Sequence, residues 1–170
     1  MSFSKLKKEL IKLDKEKLIA LIEDLYTKNK YAKLFLDLYV NPDEASLFLQ
    51  YKKLVWKQFS LKGGFDYSLS GAKKVLTEFK NLGVTNECLA RLMLEYVWAA
   101  IDYTRQFGDI DTAFYYSIGS TFYKASELLS KEGVCDKYDE IIKQEIAITK
   151  NFGWGLEEDM KRIYNEFYKK

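Results

Sequence analysis

The chain has 170 residues, 48% hydrophobic and 31% charged, enough for one packed domain or two small ones and not the composition of a disordered tail. It has no histidine, which removes imidazole-based triads and the commonest transition-metal ligand. One proline and nine glycines argue against a turn-rich all-β protein, and a net charge of +2 does not by itself imply a nucleic-acid partner.

In chain order, Ser4 is placed to cap a short helix to about Leu13 and Asp14 to cap the next. There Leu18, Leu21, Ile22, Leu25 and Tyr26 share one face at helical spacing. Whether that helix stops at Thr27–Lys30 or runs on through Leu34, Phe35 and Leu38 is open. Asn41-Pro42-Asp43-Glu44 predicts a helix start, with Asn41 as cap, Pro42 in the first turn and Glu44 closing a capping box. The stretch from Ser60 to Leu69 carries a Gly-Gly pair and no period, so it reads as a loop, anchored by Phe65, Tyr67 and Leu69 or serving as a hinge.

Beyond it, Gly83, Gly108, Gly133 and Gly153 each end an apolar helical pattern, as residues in the left-handed conformation do. Thr85, Asp111 and Asp136 follow the first three as caps, and connections this short fold consecutive helices back antiparallel. The helix over 85–107 is apolar on nearly every side and is expected at the centre. Gly119, in the middle of the next helix, predicts close approach of a neighbour. Phe114, Tyr115, Tyr116, Phe122 and Tyr123 cover too many faces of that helix for all to be core.

The fold class is therefore all-α, with seven or eight helices in an irregular bundle or short α-α superhelix of mostly antiparallel neighbours. Residues 1–62 read as a basic N-terminal subdomain and 70–170 as a bundle around the 85–107 helix, with a single domain as the alternative. Residues 1–62 hold 13 Lys against 8 acids. Met1 to Glu9 lacks the apolar run of a signal peptide, and Leu89–Ile101 is too short and too charged to span a bilayer. Cys88 and Cys135 read as two reduced thiols of a cytoplasmic protein.

The run Gly108-Asp109-Ile110-Asp111-Thr112-Ala113-Phe114-Tyr115, with Tyr103 before it and Lys124-Ala125 after it, resembles the turn of a tetratricopeptide repeat, although its punctuation period is 25 and not 34. Together with Leu6-Lys7-Lys8-Glu9-Leu10, Asn41-Pro42-Asp43-Glu44 and Gly153-Trp154-Gly155, in that order, it resembles a family of short bacterial helical proteins, a domain of unknown function. That resemblance implies a bacterial cytoplasmic helical protein and carries no activity.

Few residues point to chemistry. Asp109 and Asp111 could hold a cation, but a turn and a cap explain them as well. Glu157, Glu158 and Asp159 complement a helix dipole. The apolar central helix nevertheless carries Arg91, Glu95, Asp102 and Arg105, and two of only three arginines fall there. Two readings follow: an ion-pair network with Asp102 buried against Arg105, or a ligand pocket. Candidate binding residues are Glu95, Trp98, Asp102, Arg105, Asp109, Asp111, Tyr116 and Trp154. Lys5, Lys7, Lys8 and Lys12 are candidate polyanion contacts. The leading function is a non-catalytic protein-interaction or adaptor domain, with another protein or a second copy as partner. The alternative is a weak nucleic-acid binder, and the third reading is a small-ligand or enzymatic pocket around Asp102 and Arg105. No catalytic residue, cofactor, metal or membrane contact is expected.

Overall fold

The computed structural model describes residues 2–61, 63 and 66–169. Among these residues the chain is all-α, with nine helices and no sheet. One helix more than expected arises at Asn29. Its extended backbone breaks the second helix, and its side chain accepts from the N–H groups of Tyr31 and Ala32 to start the third.

The chain divides into two compact units, Met1–Asp43 and Glu44–Lys170. The first holds α1 (Phe3–Leu10), α2 (Lys15–Lys28) and α3 (Lys30–Val40). Asp14 caps α2 as expected, accepting from Lys17 N–H at 2.8 Å. Ser4 lies inside α1, which begins at Phe3 and has no side-chain cap. Helices α2 and α3 pack on each other, and Tyr26 donates to Asp37 at 2.8 Å. No described residue of the three helices is buried.

The second unit holds α4 (Glu44–Lys57), α5 (Leu69–Asn81), α6 (Asn86–Phe107), α7 (Thr112–Lys131), α8 (Asp139–Ile148) and α9 (Leu156–Phe167). The division falls before α4, not in the 60–69 loop, because Leu47, Phe48, Tyr51 and Val55 bury α4 within this unit. Glu44 closes no capping box. Its carboxylate reaches the start of α6, accepting from the N–H and the hydroxyl of Thr85, each at 2.6 Å. The 60–69 loop closes through paired backbone bonds between Leu61 and Asp66 and is anchored by Tyr67, edge-on to Tyr103 and Phe114 at 5.0 Å. Gly64 and Phe65 lie outside the described residues.

Helix α6 is central, packed against α4, α5 and α7. Its register with α7 is antiparallel: Asn86 bonds Glu132 at one end and Tyr96 bonds Ser117 in the middle. Pairs across an intervening helix run parallel instead. Glu44, Phe48 and Lys52 of α4 meet Thr85, Arg91 and Glu95 in the same order, and Tyr123 and Ser126 of α7 meet Glu166 and Tyr168. This parallel register is what brings the polar face of α6 opposite α4.

Punctuation follows expectation at Gly83, Gly108 and Gly133, all with positive φ, and at the Thr85 and Asp111 caps. It fails at two points. Asp136 lies in a short 3-10 turn, Cys135–Lys137, and α8 begins after Tyr138 without a side-chain cap. Gly153 has no positive φ; Asn151, Trp154 and Gly155 take that conformation instead. Gly119 has open space where a Cβ would stand, so no helix presses on it; it lines a shallow cleft between α7 and α9.

Candidate functional site

Glu95, Trp98, Asp102 and Arg105 recur on one face of α6 and line one cleft of about 300 Å³. Helix α4 adds Lys52 and Trp56, and α8 adds Ile141, Glu145 and Ile148. Glu95 is the buried acid, only 7% exposed. Burying a carboxylate is costly unless both oxygens are satisfied. Here Lys52 Nζ donates to Oε1 at 2.7 Å and Trp56 Nε1 donates to Oε2 at 2.8 Å. Lys52 and Trp56 are one turn apart on α4, so both reach the same carboxylate.

The expected pairing on α6 is different in the structure. Arg91 does not serve Glu95; it lies over the Phe48 ring at 4.4 Å, a cation–π contact. Asp102 is not buried against Arg105. Its side chain is 37% exposed and that of Arg105 56%, with N···O 3.8 Å, and its shorter bond is from Gln106 at 2.7 Å. The pair lies at the solvent-exposed edge of α6, whereas Glu95 is buried.

Glu145 faces this cleft from α8. Among the described residues its carboxylate has no hydrogen bond and no ion pair. Burial raises its pKa to about 7; Arg105 opposes that shift, and Asp102 and Glu95 add to it. The cleft thus holds three carboxylates against Lys52 and Arg105, and Lys52 is committed to Glu95. Chemically it can bind a small polar molecule and hold a proton at Glu145 near neutral pH.

The remaining expected residues lie elsewhere. Asp109 clamps the 149–155 loop, accepting from Tyr115 hydroxyl at 2.6 Å and from Gly153 N–H at 2.9 Å, and both bonds lower its pKa. A Cβ on Gly153 would stand 2.8 Å from that carboxylate, which accounts for the glycine. Asp111 caps α7, accepting from Phe114 N–H at 2.8 Å. Trp154 is exposed at the surface of the 149–155 loop. Tyr116, 77% exposed, borders the α7–α9 cleft with Gly119 and Arg162, while Phe114, Tyr115 and Phe122 are core. Lys5, Lys7 and Lys8 are exposed on α1, and Lys12, just past its end, pairs with Glu9 at 2.7 Å.

Sequence reading missed Lys52, Trp56 and Glu145. Nothing singles out Lys52 among 13 lysines of the first 62 residues. Glu145 left a signal: an acid set among Ile141, Ile142, Ile146 and Ile148.

A second feature belongs to the N-terminal unit. A groove between α2 and α3 of about 610 Å³ is lined mainly by Ile19, Ile22, Tyr26, Leu36 and Val40. Phe3, Ile11, Leu21, Leu25, Tyr31, Phe35 and Tyr39 are exposed in the same unit.

The chain belongs to a family of unknown function (DUF6155), whose model matches residues 1–168. No curated protein and no solved structure matches it.

Proposed function

We propose that this member of a family of unknown function is a non-catalytic protein-interaction domain of the cytoplasm, and that its N-terminal unit docks on a second copy of the same chain. The observation that carries this is the apolar surface of α2 and α3: Leu18, Leu21, Ile22 and Leu25 share one face of α2, α3 adds Leu34, Phe35, Leu36, Leu38 and Val40, and no residue of either helix is buried. A folded unit of this size needs a staple or a partner, because so short a chain buries too little of its own surface. An exposed apolar face of this extent marks an interaction site. The same face on a second copy is complementary by symmetry, so two helix pairs would close into a four-helix layer. Cys88 and Cys135 are buried and carry no disulfide, which supports the cytoplasmic setting. Among the described residues no helix is long and apolar enough to cross a membrane.

Sedimentation velocity of the full chain over a range of concentrations tests the reading. The parent is expected to dimerise, and Ile22→Asp or Val40→Asp to leave a monomer whose second unit keeps its cooperative thermal transition. A parent that stays monomeric throughout, or a dimer indifferent to both substitutions, overturns it.

A second reading rests on α1. Lys5, Lys7 and Lys8 are exposed and make no ion pair among the described residues, which supports weak, salt-sensitive polyanion binding. Duplex and single-stranded oligonucleotides titrated at low salt are expected to bind the parent, and not a chain with Lys5, Lys7, Lys8 and Lys12 changed to Gln. Equal binding by both chains, or by neither, discards it.

A further inference from the structure

We infer that the cleft between α4, α6 and α8 is a binding site for a small organic cation, a primary amine or guanidinium compound, held by Glu145 and Asp102 with Trp98 as its apolar wall. The site lies wholly within the second unit and is independent of the docking surface on α2 and α3.

Three observations converge. First, the cleft is a concavity of about 300 Å³, large enough for a short amine and its alkyl stem, and Trp56, Trp98, Ile101, Ile141 and Ile148 supply apolar wall. Second, its charges do not balance. Lys52 from α4 is consumed by Glu95, Arg105 from α6 sits 3.8 Å from Asp102 and half in water, and Glu145 from α8 has no partner among the described residues. One carboxylate therefore lacks a cation, in a place where burial already penalises its charge. A ligand that brings one positive charge completes the set; an anion would add to three carboxylates. Third, the wall is aromatic, and an indole face attracts a desolvated organic cation more strongly than any other side chain does. A metal ion does not fit as well: among the described residues no three acidic or thiol side chains converge to hold one.

The sign of the pH dependence follows. The groups facing Glu145 are Arg105, Asp102 and Glu95 of α6, with Lys52 of α4 bound to the last. Below about 7 Glu145 is protonated and offers no charge to an ammonium group, so affinity rises as pH passes upward through that value.

The chain has three tryptophans, Trp56, Trp98 and Trp154. With Trp154→Phe, the remaining fluorescence reports from the cleft. Butylamine, putrescine and agmatine are titrated against this protein at pH 6 and pH 8, with butyrate and magnesium chloride as controls. At least one amine or guanidinium probe is expected to give a saturable change that is tighter at pH 8, and butyrate and magnesium none. Glu145→Gln is expected to weaken the response by about tenfold or more, the value of one charge-assisted hydrogen bond, and to remove its pH dependence. This variant removes a penalised charge without changing shape, so it keeps its fold; Asp102→Asn, at the rim, is a second variant expected to weaken binding. No saturable response to any of the three cations, equal response to butyrate or magnesium, or full affinity in Glu145→Gln overturns the proposal.

Discussion

Helices α2 and α6 are built alike: half of the 14 residues of α2 are apolar, and both begin with a side-chain cap, Asp14 and Thr85. Yet α6 buries 13 of its 22 residues and α2 buries none. The difference is the number of neighbours. Helix α6 has α4, α5 and α7 packed around it, and α2 has α3 beside it within its unit. An amphipathic stripe supplies the wish to be covered, and each covered Leu or Ile is worth about 1.5–3 kcal/mol, but only where other elements enclose it. The two units thus separate helix formation from core formation within one chain.

The most drastic way to break this comparison is to separate the units. A chain of residues 44–170 is expected to keep a cooperative thermal transition, since its core lies within it. A peptide of residues 1–43 is expected to show little helix by circular dichroism when dilute, because short helices without packing are marginal. A folded, monomeric 1–43 peptide would remove the contrast.

Single truncations sharpen it further. Leu92 is fully buried on α6, and Leu92→Ala should cost about 2–5 kcal/mol in urea unfolding. Leu25 is half exposed on α2, and Leu25→Ala should cost less than about 1 kcal/mol in the monomer. Comparable losses at both positions would mean that α2 is as well covered as α6.

The same contrast explains what could be read from sequence. Local punctuation was legible: Asp14, Thr85, Asp111 and the glycines at 83, 108 and 133 act within a few residues of themselves. So was the centrality of α6, which is apolar on nearly every side and buries 13 of its 22 residues. Long-range choices were not. Glu44 chooses Thr85 over its own helix, Arg91 chooses Phe48 over Glu95, and Glu95 chooses Lys52 and Trp56. Each depends on the parallel register of α4 and α6, which no short spacing encodes. The glycine-rich loop left two readings open from sequence, a hinge or an anchored loop, and the packing of Tyr67 against Tyr103 that anchors it is again a long-range contact. Gly119 shows the converse: a mid-helix glycine suggested crowding, and the structure leaves space there.

Within the second unit, buried and rim charges should respond differently. Lys52→Met leaves Glu95 as a buried anion with the Trp56 N–H alone, and should cost about 2–3 kcal/mol, less than a fully buried pair because Lys52 is partly hydrated. Glu95→Gln should cost less, since Lys52 can turn to water. If Lys52→Met is silent, the Glu95 carboxylate is better solvated than its 7% exposure implies.

Glu145 gives a smaller effect with a definite sign. Its pKa is raised by burial from 4.5 to about 7, so between those values the folded chain binds a proton that the unfolded chain has lost. Its contribution to stability is therefore fully favourable below about 4.5, declines as pH rises to about 7, and is flat above. For a half-buried group, screened by solvent, the decline is on the order of 1–2 kcal/mol. Urea melts of parent and Glu145→Gln should diverge at pH 8 in favour of the variant and converge at pH 5. Equal curves at both values would show that the carboxylate is effectively in water.

The smallest expected effect is at the rim. Asp102 and Arg105 stand 3.8 Å apart with both side chains more than a third exposed, in water that already solvates them. Ion pairs of that kind contribute between zero and about 1 kcal/mol. Asp102→Asn and Arg105→Met should each change stability by no more than about 0.5 kcal/mol, and the double variant should show no coupling beyond that. Asp102→Asn also removes a repulsion on Glu145, so its small effect should be stabilising at pH 8 and absent at pH 5. A loss as large as that of Lys52→Met would instead make the pair part of the core, and would extend the buried polar network of α6 from Glu95 down to Arg105.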